Sequence, residues 1–159
     1  NYHCADLISD LLSRGKSARF YSRLIKENSK FIDLSAFVMG SLDEGLFVIA
    51  GKPVKGISLQ EAYQLIRQEL NCLCEDSISK RELDKVKNKI HSSLTFQEIS
   101  NLNKAMSLGY YELFDKAESI NSEFNKYKSI DAKHVSSLAN TLFQEKNSSV
   151  LFYKAKNNG

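Results

Sequence analysis

Two segments rich in β-forming residues, Phe31–Met39 and Leu46–Ala50, lie close together in a chain whose pattern is otherwise mostly helical. The residues between them, Gly40–Gly45, have turn composition, so the two segments predict a β-hairpin that Pro53 can stop. A single hairpin is only marginally stable in water, so a third strand needs to join it. The alternation of the first segment places four apolar residues on one side: Ile32, Leu34, Ala36 and Val38.

Most of the remaining chain has helical periodicity. Ala5–Leu12 predicts a first helix that Gly15 ends, and a second helical piece follows around Phe20. Two capping boxes, Ser58–Glu61 and Ser79–Glu82, open the next two helices. Three more helices are predicted over Ser100–Phe114, over Ser119–Tyr127 and from Asp131 to Leu142.

A last strand, Ser149–Tyr153, is expected to join the hairpin as its third strand. The predicted fold class is therefore α+β, with an antiparallel-rich β-sheet and helices packed on one face. At 159 residues the chain is expected to form a single domain. Because it does not begin with Met, we interpret it as a fragment of a longer chain of two or more domains.

The overall composition argues against several classes of protein. With 22 basic and 19 acidic residues, the net charge of +3 is too balanced to indicate nucleic-acid binding by itself. No apolar run approaches the roughly 20 residues of a membrane-spanning helix, and no signal peptide is visible. The odd number of cysteines argues against a disulfide framework, so Cys4, Cys72 and Cys74 are interpreted as free thiols. The compartment stays open, because a bacterial periplasm and a cytoplasm are both compatible with the sequence.

None of the short motifs that could carry chemistry is complete. The Gly-Lys-Ser of Gly15–Ser17 imitates the end of a phosphate-binding loop, but the loop's other glycine would fall at Asp10. Asp6 shares a helix face with Asp10, and we expect that face to be solvated, like the lysine-rich stretch Lys80–Lys89. Three scattered histidines lack a second ligand at a spacing suited to zinc and are expected at the surface: His3, His91 and His134. The residues alone predict no catalytic group and no metal site.

Six segments, in order along almost the whole chain, resemble the C-terminal, inactive-type domain of the insulinase/pitrilysin zinc peptidase family. The first is LISDLLSRGKSARFYSRLIKE, which spans Leu7–Glu27. Each motif is weak alone, but their ordered set is specific. The other five are Leu42–Ile49, Ile57–Ala62, Ile78–Asn88, Leu108–Glu112 and Ile130–Tyr153.

The resemblance implies a domain that faces a second, similar domain across a chamber, in the same chain or in a partner subunit. In the active domain of such a pair, an H-x-x-E-H helix holds zinc beside a general base. The first helix of this chain, Cys4–Leu12, lacks that ligand set, so the implied domain has no zinc and no catalysis of its own. Zinc is expected in the catalytic domain that this one supports, and peptide substrates are expected in the chamber that it closes.

The family match also implies roles for individual residues. Active relatives often place an Arg on the second hairpin strand and a Tyr about eleven residues later, to grip the substrate. The matching positions here are Phe47 and Ser58, with Tyr63 one helical turn beyond. Phe47 has no donor for a peptide carbonyl and Ser58 lacks the reach of Tyr, so a structural or partner-binding role is the better expectation. Four residues of the opening run are family-signature positions that are expected to order the helix junction: Gly15, Ser17, Arg19 and Tyr21.

The family's domain usually begins with a strand before the first helix, whereas this chain opens at that helix. The sheet is therefore expected to lack its first strand and to leave an edge through which two copies could pair. Two other functions remain open beside the peptidase half. One is an assembly or scaffold domain of the same fold with no proteolytic role. The other is a nucleic-acid-binding domain that uses the lysine-rich helices, although neither nucleic acid nor a membrane is an expected partner.

Overall fold

The computed structural model describes residues 1–40, 45–75 and 78–154. Within those residues the chain is mostly helical with one two-stranded antiparallel sheet, which confirms the predicted α+β class. Each helix in the same ranges is too short or too polar to cross a membrane. The elements in chain order are α1 (Tyr2–Ser13), a π-helix (Phe20–Glu27), β1 (Phe31–Met39), β2 (Leu46–Pro53), α2 (Leu59–Glu75), α3 (Lys80–Gln97), α4 (Asn101–Phe114), a 3₁₀-helix (Ala117–Ser122), α5 (Glu123–Lys128), α6 (Ala132–Leu142) and a short 3₁₀-helix (Glu145–Asn147).

The strands β1 and β2 form the predicted hairpin. β1 has the predicted bounds, and β2 continues to Pro53. A bulge between Phe31 and Asp33 shifts the alternation of side chains by one residue at the start of β1. Phe31 is therefore buried while Ile32 is 59% exposed, and the prediction that Ile32 lies on the same side as Leu34 and Ala36 is wrong. The predicted turn at Gly40–Gly45 falls mostly on residues 41–44, which lie outside the described residues.

The two faces of the sheet differ in what covers them. Leu34 and Ala36 are buried on the face against which α1 packs, and Ser13 Oγ donates a hydrogen bond to Ala36 O at 2.9 Å. On the opposite face the side chains of Phe37 and its neighbour Met39 are exposed. The helices thus pack on one face of the sheet, as predicted, and leave an apolar outer face.

The predicted third strand, Ser149–Tyr153, is wrong, because among the described residues only β1 and β2 belong to the sheet. A strand needs a neighbour whose backbone groups pair with its own, whatever its side-chain pattern. The segment lies instead beside α2, where the rings of Phe152 and Tyr63 meet edge to face at 6.3 Å. The side chain of Leu151 is exposed.

The core is built around α1, which contacts β1, α3, α5 and α6. Its apolar residues recur at one and four residues apart, which gives the helix a broad apolar stripe. Phe20, at the start of the π-helix, is fully buried in the same core. Because neighbours surround α1, its polar residues also lie among packed elements. The four α1 side chains at the centre of the core are Leu7, Ile8, Leu11 and Leu12.

The starts of α2 and α3 follow the predicted serine caps. Ser58 Oγ accepts a hydrogen bond from Glu61 N at 3.1 Å, and Ser79 Oγ accepts one from Glu82 N at 3.2 Å. The second capping box is incomplete, however. The Glu82 carboxylate accepts hydrogen bonds from Arg19 instead of turning back to the first residues of its own helix. The Glu82 side chain thus forms a long-range ion pair, while the Ser79 cap remains.

Candidate functional site

Each of the three histidines makes a structural contact. His3 Nε2 lies 2.6 Å from Glu123 Oε1, and the ring of His91 stacks on a phenylalanine of α5 with 4.2 Å between the ring centroids. His134 takes part in the capping box that starts α6. Within residues 1–40, 45–75 and 78–154, no group of three or more His, Cys, Asp or Glu side chains is placed to hold a metal ion. The described residues therefore do not fit the zinc chemistry of an active peptidase.

The cysteines are free thiols, as interpreted from their number, and all three are half-buried. Burial raises the pKa of the Cys4 thiol and of the Cys74 thiol. A thiol must lose its proton to act as a nucleophile, and a raised pKa opposes that loss at neutral pH. This arrangement does not favour cysteine chemistry at either position.

The carboxylates of Asp6 and Asp10 do not lie on a solvated face. Asp10 is only 7% exposed and accepts a hydrogen bond from Arg14 Nη1 at 2.9 Å, so the predicted solvation is wrong for this residue. Burial raises the pKa of Asp10, although the charge of Arg14 opposes the effect. Asp6 accepts a hydrogen bond from Tyr127 Oη at 2.8 Å. The two carboxylates have different partners and do not form an acid–base pair.

The signature residues lie where α1 meets the π-helix. Gly15 has a φ of +97°, a backbone conformation that favours glycine, and Ser17 is exposed with its carbonyl 3.4 Å from Lys85 Nζ. Arg19 is buried, and its Nε and Nη2 donate to the two carboxylate oxygens of Glu82 at 2.9 and 3.1 Å. Tyr21 is half-buried. The contacts of Arg19 with Glu82 join the helix junction to α3. That Arg19 orders this junction remains a prediction, and Glu82 is the partner through which it would act.

A second ion pair follows one turn further along the π-helix. Arg23 Nη1 donates to Glu69 Oε1 at 2.8 Å, and Glu69 is buried in α2. The sequence had predicted neither Glu69 nor Glu82 as a partner of these arginines. The sequence signal that could have identified the pair is a charged residue, Glu69, directly before Leu70 on the buried side of α2. A buried carboxylate is nearly always paired, so Glu69 required a basic partner.

Phe47 and Ser58, the two positions matched to substrate-gripping residues, each make a contact within the domain. The ring of Phe47 meets that of Phe143 edge to face at 5.2 Å. Ser58 caps α2 and is exposed. Within the described residues, neither a hydrogen bond nor a ring contact joins Phe47 to Ser58. Tyr63 packs beside Phe152 instead.

A cavity of about 170 Å³ lies between the loop after α1 and helix α3. Lys89 Nζ donates to Arg14 O at 2.9 Å, which ties the loop to the helix. Lys80, Lys85 and Lys89 of α3 are exposed, as expected for a solvated face, whereas Lys87 is half-buried and donates a hydrogen bond to Lys128 O at 3.0 Å. Leu83 and Val86 are buried. The stretch Lys80–Lys89 is amphipathic with a charged outer face, and it contains no aromatic residue of the kind that a single-strand binding surface uses for stacking.

Acidification is expected to destabilise the protein partly through Glu82. Hydrogen bonds from Arg19 lower the pKa of Glu82 below its ordinary value of 4.5. The unfolded chain therefore binds a proton at a higher pH than the folded chain does. The stability from this pair is present above about pH 4.5 and is lost as the pH falls through the lower folded-state pKa. A Glu82→Gln protein should lose less stability than the parent between pH 5 and pH 3.

The measurement is the midpoint of urea unfolding across that pH range. Glu118→Gln, which changes an exposed carboxylate outside the pair, serves as the matched control. Its unfolding midpoint should change with pH as steeply as that of the parent. Equal slopes for the parent and the Glu82→Gln protein would show that the pair contributes nothing to acid sensitivity.

Comparison with known proteins relates this arrangement to peptidases. Residues 1–90 match the family model described as the peptidase M16 inactive domain. The fold is similar to that of a protease from Helicobacter pylori, with a TM-score of 0.84 and 20% identity over 92% of this chain. The chain spans 35% of that protease, or about a third of its length. No curated protein sequence matches the chain.

Two structures from Bordetella are also similar. One is the inactive peptidase domain of a protein from Bordetella parapertussis assigned as a zinc protease. It has a TM-score of 0.81 and 17% identity, and the match covers 98% of this chain and 85% of the other. The second, from Bordetella pertussis Tohama I, is also assigned as a zinc protease. Its TM-score is 0.75 and its identity 19%, over 91% of this chain and 80% of the other. At these identities the likeness concerns the fold.

Proposed function

The chain belongs to the family of the peptidase M16 inactive domain, and from that membership we propose that it is the non-catalytic half of a zinc-dependent metallopeptidase. The membership confirms the resemblance to the inactive-type domain of the insulinase/pitrilysin family. In the proposed assembly this chain closes a peptide-binding chamber and supports a catalytic domain, in the same chain or in a partner subunit. Zinc and the general base belong to that catalytic domain.

The observation that carries the proposal is the family match over residues 1–90, which includes all of α1. The contacts of α1 support it. Asp10 is paired with Arg14, and Asp6 accepts a hydrogen bond from Tyr127. Side chains that could have bound a metal are used to hold the domain together.

The length of the Helicobacter pylori protease supports placing the chain in a larger assembly, because the chain spans about a third of it. We propose that the 159 residues are one domain of a longer chain or of a two-subunit peptidase. A domain with this role needs a surface that meets peptide. The exposed apolar outer face of the sheet, with Phe37, Met39 and Leu46, suits contact with a peptide, since exposed apolar patches mark interaction sites.

The metal content and the activity of the purified chain test this function. We expect less than stoichiometric zinc and no hydrolysis of peptides by the chain alone. Adding the H-x-x-E-H domain encoded in the same or the neighbouring gene should give hydrolysis that a chelator abolishes and added zinc restores. A stoichiometric, tightly held zinc in this chain by itself would contradict the proposal.

A second candidate is an assembly domain of the same fold with no proteolytic role. The size of the exposed apolar surface, on the sheet and on α4, favours it as an alternative. The two functions differ in kinetics. A chamber-forming half should raise the kcat/KM of the catalytic domain for peptides, whereas an assembly domain should leave that value unchanged.

A further inference from the structure

Helix α4 exposes an apolar stripe that nothing in the described part of the chain covers. None of the residues of α4, all of which the structure describes, is buried. Six large apolar side chains on α4 and just before it are 60–81% exposed: Phe96, Ile99, Leu102, Met106, Tyr110 and Leu113. At roughly 100 Å² each, they total about 600 Å², which is the upper end of the range for the largest apolar patch of a typical monomer and about three-quarters of the ~800 Å² that one partner contributes to a stable interface.

The opposite side of α4 holds the helix on the protein. Tyr111 is half-buried and hydrogen-bonds to Glu123 of α5, and Lys126 Nζ lies 5.9 Å from the centre of the Tyr111 ring. Glu112 Oε2 accepts a hydrogen bond from Ala117 N at 2.9 Å. Because these contacts anchor α4, its apolar stripe faces away from the core in the folded protein.

The spacing within the stripe specifies the shape of its partner. Leu102, Met106, Gly109 and Leu113 follow one another at intervals of four, three and four residues, and we call these four residues the α4 seam. This spacing is that of the contact seam between two helices that cross at a shallow angle. At Gly109 a Cβ atom would meet nothing within 4 Å, so the seam has a hole at its centre.

We propose that the α4 seam binds the α4 seam of a second copy of this chain, antiparallel across a twofold axis. In antiparallel helix pairs, each layer joins a seam residue of one helix to a different seam residue of the other, at the same distance on the far side of the twofold axis. With the axis midway between positions 107 and 108, Met106 meets Gly109 of the partner subunit, and Leu102 meets Leu113 of the partner subunit. Each Met106 side chain then fills the hole at Gly109 of the other copy. The interface thus contains two equivalent contacts, as an isologous interface requires.

This pairing is independent of the proposed peptidase role and differs from pairing through a sheet edge. The size complementarity of Met106 and Gly109 is what selects a second copy. The seam lies outside residues 1–90, the part that matches the inactive-domain family. The family match therefore assigns no contact with a catalytic domain to the seam.

The test measures the molar mass of the purified chain by sedimentation over a range of concentrations. The parent should be a dimer. Leu102→Glu and Leu113→Lys should each weaken the dimer by about 100-fold, because each places an unpaired charge in the contact. An equimolar mixture of the two variants should dimerise again, because Glu at position 102 of one copy then meets Lys at position 113 of the other.

Met39→Glu is the matched control. Met39 is an exposed methionine of the sheet's outer face, and its replacement should leave the dimer intact. Circular dichroism of each variant should match that of the parent, since none of the three changed side chains is buried. A parent chain that stays monomeric, a dimer that Met39→Glu disrupts, or a mixture that fails to associate would each overturn the proposal.

Discussion

An Arg19→Met protein is expected to lose about 3 kcal/mol of its free energy of unfolding. Arg19 is buried and donates two hydrogen bonds to the Glu82 carboxylate, which is itself three-quarters buried. Removing the guanidinium leaves that carboxylate without its charged partner, and the desolvation of Glu82 is then no longer compensated. With domain stabilities of about 5–15 kcal/mol, this is a large fraction of the total.

The measurement is chemical unfolding followed by circular dichroism, together with the double variant Arg19→Met/Glu82→Leu. Replacing both partners with apolar residues removes the stranded charge, so the double variant should recover most of the loss. Lys30→Met is the control, because it breaks an exposed pair with Glu61 at 3.5 Å and should cost less than about 1 kcal/mol. An Arg19→Met protein as stable as the Lys30→Met protein would show that burial adds nothing to the Arg19 pair.

A Phe20→Ala protein is expected to lose about 3–5 kcal/mol. The Phe20 ring is fully buried at the start of the π-helix, in the same cluster as the apolar residues of α1. Its truncation both removes buried apolar surface and leaves a cavity that packed neighbours fill only in part. In a chain of this length, such a loss should lower the Tm by roughly 10 °C.

Phe37→Ala is the matched control for the aromatic truncation. Phe37 has the same side chain but lies exposed on the outer face of the sheet, so its removal should cost less than about 1 kcal/mol. Thermal unfolding of both variants under the same conditions gives the comparison. Losses of similar size would mean that the Phe20 position does not belong to the tightly packed core.

The parts of the fold that short-range physics controls were predictable. β1 has the bounds that its β-branched and aromatic residues predict, and Ser58 and Ser79 cap their helices. The same kind of pattern failed at Ser149–Tyr153, where the side chains alternate suitably but no neighbouring strand pairs with the segment. It also failed at Ile32, because a one-residue bulge reverses which side chain faces inward.

The candidate site also has features that the sequence predicts and features that it does not. The residues of the opening run were singled out from the sequence, but the partner of Arg19 lies 63 residues further along the chain. Asp10 was expected in solvent because nothing in the sequence of its helix indicates burial, whereas the elements packed around α1 bury it. The roles of Phe47 and Ser58 in contacting peptide stay predictions, since Phe47 packs against the distant Phe143 and Ser58 caps its own helix.

The sequence by itself determined the family, the order of helices and hairpin, and the caps that start the helices. These depend on ordered motifs and on interactions within a few residues. Only the tertiary structure decided that Arg19 pairs with Glu82, that Asp10 is buried, and that no described residue covers the outward-facing α4 seam. Burial and ion pairing depend on which distant elements meet. An apolar stripe has the same periodicity in the sequence whether it faces the core or the solvent.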